Sequence, residues 1–271
     1  MGRAKRHMDL GLRWIRCGWR LFLRNPWQLG GMGFCCAAVA VGLIHIPLIG
    51  GPLLGLLAPP AVAAFYIAIE EISKQKIKLP RALRFFAIKQ SPREFLNVAR
   101  DERHLMQVLV LGLCGMIVFV LTDVLTWFIA GTALASPLAN LSFGALVAVT
   151  VATIVRIAIY LILAATLVYA IPLALLRQEP LVPAFYTSLR TSAHYGFALL
   201  TIVALVVGLF VIISLTAFGS PALAYLGGLA AGVFVLPIAL CSCYCSYRAI
   251  FAVANAAAPA PQPLRSIKDV A

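Results

Sequence analysis

The sequence predicts an all-α polytopic membrane protein, with six transmembrane helices as three hairpins, each preceded by a cytoplasmic interfacial amphipathic helix. Three observations predict it. Hydrophobic residues make up 62% of the 271 and charged residues only 11%, where soluble domains hold about 45–50% apolar and about 25% charged residues. Such an excess cannot be hidden in a soluble core, and the mean hydropathy of +0.98 agrees. The apolar residues also fall in long continuous runs, which excludes the alternating segments of about ten residues that build a β-barrel. Finally, the basic residues gather in alternate loops.

A spanning helix needs about 20 apolar residues. Six runs qualify, at roughly 27–46, 49–69, 105–130, 142–172, 197–218 and 222–250. A Pro/Gly turn over Ile46-Pro47-Leu48-Ile49-Gly50-Gly51-Pro52 joins the first two. Residues 131–140 join the next pair, and Phe218-Gly219-Ser220-Pro221 joins the last. Lys and Arg set orientation. Residues 1–26 hold seven of them and 70–104 hold nine; Arg177, Arg190, Arg248, Arg265 and Lys268 follow. The hairpin turns hold none, so 21 of 22 basic residues share one side. That side is expected to be cytoplasmic in a bacterial inner membrane, with both termini inside. The start is no cleavable signal peptide, because its basic region is long and Ala38-Val39-Ala40 lies mid-span. A mitochondrial transit peptide would not explain the basic inner loops. The net charge of +13 follows from orientation, with anionic headgroups rather than nucleic acid as the nearest partner.

Residues 9–24 carry Arg13, Arg16, Arg20 and Arg24 at spacings of three and four, one stripe on a helix. Leu10, Trp14, Ile15, Trp19, Leu21 and Phe22 cover much of the rest, so this helix is expected in the headgroup plane with its apolar face down. Asn25-Pro26 ends it. The stripe anchors topology or binds a specific lipid or protein. In the loop 70–104, Leu79 to Phe86 is basic and aromatic, and Ser91-Pro92-Arg93-Glu94 reads as a capping box. Residues 183–195 form a third amphipathic segment, ending at Gly196. These segments define a pattern repeat over about 9–69, 80–176 and 181–252 within a single transmembrane domain, 1–252. An Ala/Pro-rich, flexible cytoplasmic tail is expected over 253–271.

Histidines aside, Asp123 and Arg156 are the only ionisable residues deep in the spans. A charge in hydrocarbon costs about 3 kcal/mol or more, so such residues pair and face the bundle. A substrate counter-ion or proton relay is the functional alternative; a third reading leaves Asp123 at the outer interface. Residues 141–176 would stretch about 54 Å as one helix against a core of about 30 Å. Pro59-Pro60 and Pro237 interrupt Gly-rich spans, through close packing of small residues or as broken helices lining a site. The seven cysteines lie in spans or on the reducing side, so disulfides are not expected. Cys241 and Cys245 share a helical face while Cys243 points away, which argues against a metal cluster. His45 and His194 read as interfacial. The chain shows no nucleophile elbow, phosphate loop, metal-binding His pair or nucleotide fingerprint.

Gly18-Trp19-Arg20-Leu21-Phe22 with Asn25-Pro26, followed by Gly50-Gly51-Pro52 and Pro59-Pro60, resembles a group of proteobacterial six-span inner-membrane proteins. The layout is similar to the membrane domain of some glycerophosphodiester phosphodiesterases, without a catalytic domain. The resemblance implies location and architecture and transfers no site. A non-enzymatic scaffold or membrane-organising protein is expected, without metal or cofactor. Its partners are membrane lipids and either a second copy or another membrane protein. A small secondary transporter is the alternative.

Overall fold

A computed structural model describes residues 2–46, 49–74, 102–131, 142–216 and 221–257. Eight helices and no strand occur among the described residues: α1 (Gly2–Phe22), α2 (Pro26–Ile44), α3 (Gly50–Lys74), α4 (Glu102–Ala130), α5 (Phe143–Leu176), α6 (Leu181–His194), α7 (Gly196–Thr216) and α8 (Pro221–Ala257). Five carry segments long and apolar enough to cross a membrane: Pro26–Leu43, Gly50–Lys74, Leu109–Ala130, Phe143–Leu176 and Tyr225–Phe251. A sixth follows if α6 and α7, which meet at a bend of 84°, form one span. The loop segments at 79–86 and 91–94 lie outside the described residues.

Local chemistry sets the helix ends. Asn25 caps α2, its side chain accepting from the Gln28 amide at 3.4 Å, and Pro26 takes the first position. Ser142 caps α5 by accepting from the Ala145 amide at 3.3 Å. Gly131, at φ 53°, follows the last residue of α4 in the left-handed region that favours glycine.

The core gathers at one end of the bundle. Phe65, Tyr66 and Ile69 of α3, Leu111 of α4, Tyr169, Ile171, Leu173 and Leu175 of α5 and Leu240, Tyr244, Tyr247 and Phe251 of α8 form one buried cluster with Leu21, Phe22 and Leu29. These residues lie nearest to the basic segments in sequence. Toward the other end, Trp127, Phe128 and Phe143 are exposed. Helix α8 is the spine: α1, α2, α3, α5 and α7 all contact it. The most extensive contacts, α3 on α4 and α8 on α1 and α2, run between the expected hairpins rather than within them.

Several expectations change. Helix α1 seats its apolar face on protein: Trp14 packs with Ala198 and Ile202 of α7, and Leu21 and Phe22 join the main core. Trp19, expected on the buried side, is 49% exposed, because the face that meets α7 and α8 runs through Gly11, Trp14, Gly18 and Leu21. The prolines break nothing. Helices α3, α5 and α8 continue through Pro59-Pro60, Pro172 and Pro237, since a bundle can re-satisfy the carbonyls that proline frees. Close packing of small residues is what the glycines provide: a Cβ on Gly55 would lie 2.8 Å from the Gly115 carbonyl oxygen, and one on Gly33 would strike the Gly232 carbonyl. Helix α8 also runs on to Ala257, past the expected start of the tail, and residues 258–271 are outside the described set.

Candidate functional site

Helix α1 places Cys17, Arg20 and Leu21 on one face through spacings of three and four, and Arg24 follows in the turn after the helix, which ends at Phe22 rather than at the expected residue 24. The same rule places Tyr244, Cys245 and Arg248 together on α8. With Ser73 of α3, these eight residues line an open cavity of about 420 Å³ at the core end of the bundle. Its seam is covalent. Cys17 and Cys245 form a disulfide with a Cα–Cα distance of 6.2 Å, inside the usual range of 4.4–6.8 Å. This overturns the expectation of unpaired cysteines. A sequence separation of 228 residues carries no spacing signal; only the seating of α1 on α8 brings the two thiols together. Cys241 and Cys243 remain free and buried.

Beneath the arginines, Tyr244 is 1% exposed. Its hydroxyl donates to the Glu70 carboxylate and lies 3.0 Å from the Ser73 hydroxyl, which donates to the Glu70 carbonyl at 2.8 Å. Lys74 pairs with Glu70 at 3.0 Å. A fixed polar floor therefore lies under three guanidinium-bearing side chains. Of the arginine stripe, the cavity takes Arg20 and Arg24; Arg13 and Arg16 are exposed on α1 outside it. Sequence reasoning treated Arg248 only as an orientation charge and missed Ser73, Glu70 and Tyr244. The one available signal was the density of polar residues over Cys241 to Tyr247 at the end of an apolar run.

The two charges expected within the spans meet elsewhere. The Arg156 guanidinium of α5 donates to the Asp123 carboxylate of α4. The pair lies at the periphery, its side chains 40% and 42% exposed respectively. One turn away, Tyr160 stacks on Phe119 at 5.7 Å between ring centroids. The Tyr160 hydroxyl is buried without a hydrogen-bond partner among the described residues.

His45, expected at the interface, has its Nε2 2.9 Å from the Tyr225 hydroxyl and its Nδ1 2.7 Å from the Val41 carbonyl. His194 stacks edge-on against Tyr195. Between α5, α6 and α7 a second cavity of about 330 Å³ is largely apolar, with Ser192 on its wall donating to the Ala165 carbonyl at 2.7 Å. Comparison with family models, with curated proteins and with solved structures gives no match for this chain.

Proposed function

We propose that the chain is a non-enzymatic membrane-organising protein of a bacterial inner membrane. Six spans run as three hairpins with both termini cytoplasmic, and a basic cytoplasmic face contacts anionic lipid. The observation that carries this reading is the state of α1. Arg13, Arg16, Arg20 and Arg24 are all exposed, while Gly11, Trp14, Gly18 and Leu21 behind them are buried. The helix thus holds Arg13, Arg16 and Arg20 on a supported face, with Arg24 in the turn just past its end. Each basic residue near an anionic surface contributes about 1 kcal/mol, and attraction falls off over about 8 Å at physiological salt.

Transport would need polar groups converging on a cavity near Asp123 and Arg156. That pair instead lies at the periphery and lines neither of the two cavities described above, so the membrane-organising reading is preferred. The test is native mass spectrometry of the full chain in mild detergent. Phosphatidylglycerol is expected to be retained over phosphatidylcholine, with the preference weakening as salt rises. Replacing Arg13, Arg16, Arg20 and Arg24 together by Gln should remove most of it. Equal retention of both lipids by the native chain would refute the proposal.

A further inference from the structure

The stripe on α1 is a diffuse charge, but the cavity beside it is a defined receptor. Its lining draws Arg20 and Arg24 from one end of the chain and Arg248 from the other. A planar guanidinium presents donors in a fork that matches phosphate oxygens. None of the eight lining residues is acidic. The acid beneath, Glu70, is already engaged by Lys74 and by the Tyr244 hydroxyl. The Cys17–Cys245 bond ties the helix bearing Arg20 to the helix bearing Arg248, so the two backbones that carry these groups are held together before any ligand arrives, which limits the ordering that binding requires. The volume of about 420 Å³ falls within the usual range of small-ligand sites.

We infer that this cavity binds a phosphate group, gripped from the two ends of the chain by the Arg20 and Arg248 guanidinium groups. The inference deepens the basic-face reading above: it names one site and one chemical class on that face. The phosphate belongs either to a lipid headgroup, as in phosphatidic acid, or to a soluble phosphate.

The experiment uses the full chain, oxidised, in zwitterionic nanodiscs. One arm adds phosphatidic acid, and the other titrates inorganic phosphate followed by ³¹P NMR line width. Arg248→Gln isolates the cavity, because Arg248 is not in the α1 stripe. Arg13→Gln with Arg16→Gln isolates the stripe, because neither residue lines the cavity. Losing one charge-assisted contact should weaken phosphate binding on the order of tenfold. Arg248→Gln is expected to show that loss while keeping the preference for phosphatidylglycerol; the Arg13/Arg16 variant should show the reverse. Arg248 is exposed, so the variant should fold, and an unchanged melting temperature checks this; Arg20→Gln is the second cavity variant. Arg248-dependent binding of phosphatidic acid alone identifies a headgroup site. Arg248-dependent binding of inorganic phosphate alone identifies a soluble ligand. Unchanged binding of both probes by Arg248→Gln and Arg20→Gln overturns the inference, as does an equal loss in the Arg13/Arg16 variant. If the native chain shows no preference for phosphatidylglycerol, the lipid-face reading fails, yet Arg248-dependent phosphate binding would still establish the cavity.

Discussion

Asp123 and Arg156 answer one another because either charge alone would be worse. An unpaired charge at the centre of a span costs about 2.5–3.5 kcal/mol even on the lenient insertion scale, while a hydrogen-bonded pair is neutral as a unit. Both stood out in the sequence as lone ionisable residues in apolar runs. Their place at the periphery did not, because runs apolar on every side give no cue to which face turns inward. Asp123→Ala and Arg156→Ala should therefore each lower the melting temperature in detergent. The double variant should recover part of the loss, since removing both partners leaves no stranded charge. Strictly additive shifts would show that the two side chains do not meet. Residue chemistry was least legible at Cys17 and Cys245. Their pairing depends on a helix contact spanning the whole chain, and no local pattern encodes that.

At the scale of the element, α1 is the helix whose role changed most between sequence and structure. Its arginine spacing was legible, and so was the apolar character of the rest. What covers the apolar face was not, because lipid and protein look alike to a Trp or Leu. The small residues decide it. Gly11 and Gly18 let α1 approach α7 and α8 so closely that a Cβ on Gly18 would lie 2.6 Å from the Ser242 amide nitrogen. Gly18→Val should force the helices apart and destabilise the chain by about 1–3 kcal/mol, the usual range for overpacking. It should also lower the fraction of Cys17 found joined to Cys245 in a non-reducing peptide map. Gly31 of α2 is the control, since a Cβ there meets nothing within 4 Å, and Gly31→Ala should leave the disulfide intact without lowering stability. An undisturbed disulfide in Gly18→Val would mean that α1 does not rest on α8 as described.

For the whole molecule, the fold class was the most legible feature, because composition and run length act over hundreds of residues and tolerate local error. The side of the membrane depends on charge alone. Twenty-one of 22 basic residues lie on one side of the expected topology, and the positive-inside bias predicts that this side faces the cytoplasm. The buried core lies at the same end. Single-cysteine labelling tests the orientation, but the choice of site needs the structure. Ser188 appears suitable from its loop position, yet it is fully buried and bonded to the Ala165 carbonyl at 3.2 Å. Arg190 of α6 is exposed, and a Cβ on Gly144 in the first turn of α5 meets nothing within 4 Å. In a background with Cys35, Cys36 and Cys114 replaced by alanine, an impermeant thiol reagent should label Gly144→Cys in cells whose outer membrane alone is opened. Arg190→Cys should react only after the inner membrane is permeabilised. Losing one arginine leaves 20 on that side, too small a change to invert the chain. Labelling of Arg190→Cys across an intact inner membrane would turn the protein over and place the arginine cavity on the periplasmic side. The Cys17–Cys245 disulfide would then lie in an oxidising compartment, so this measurement also fixes the redox environment in which that bond must persist.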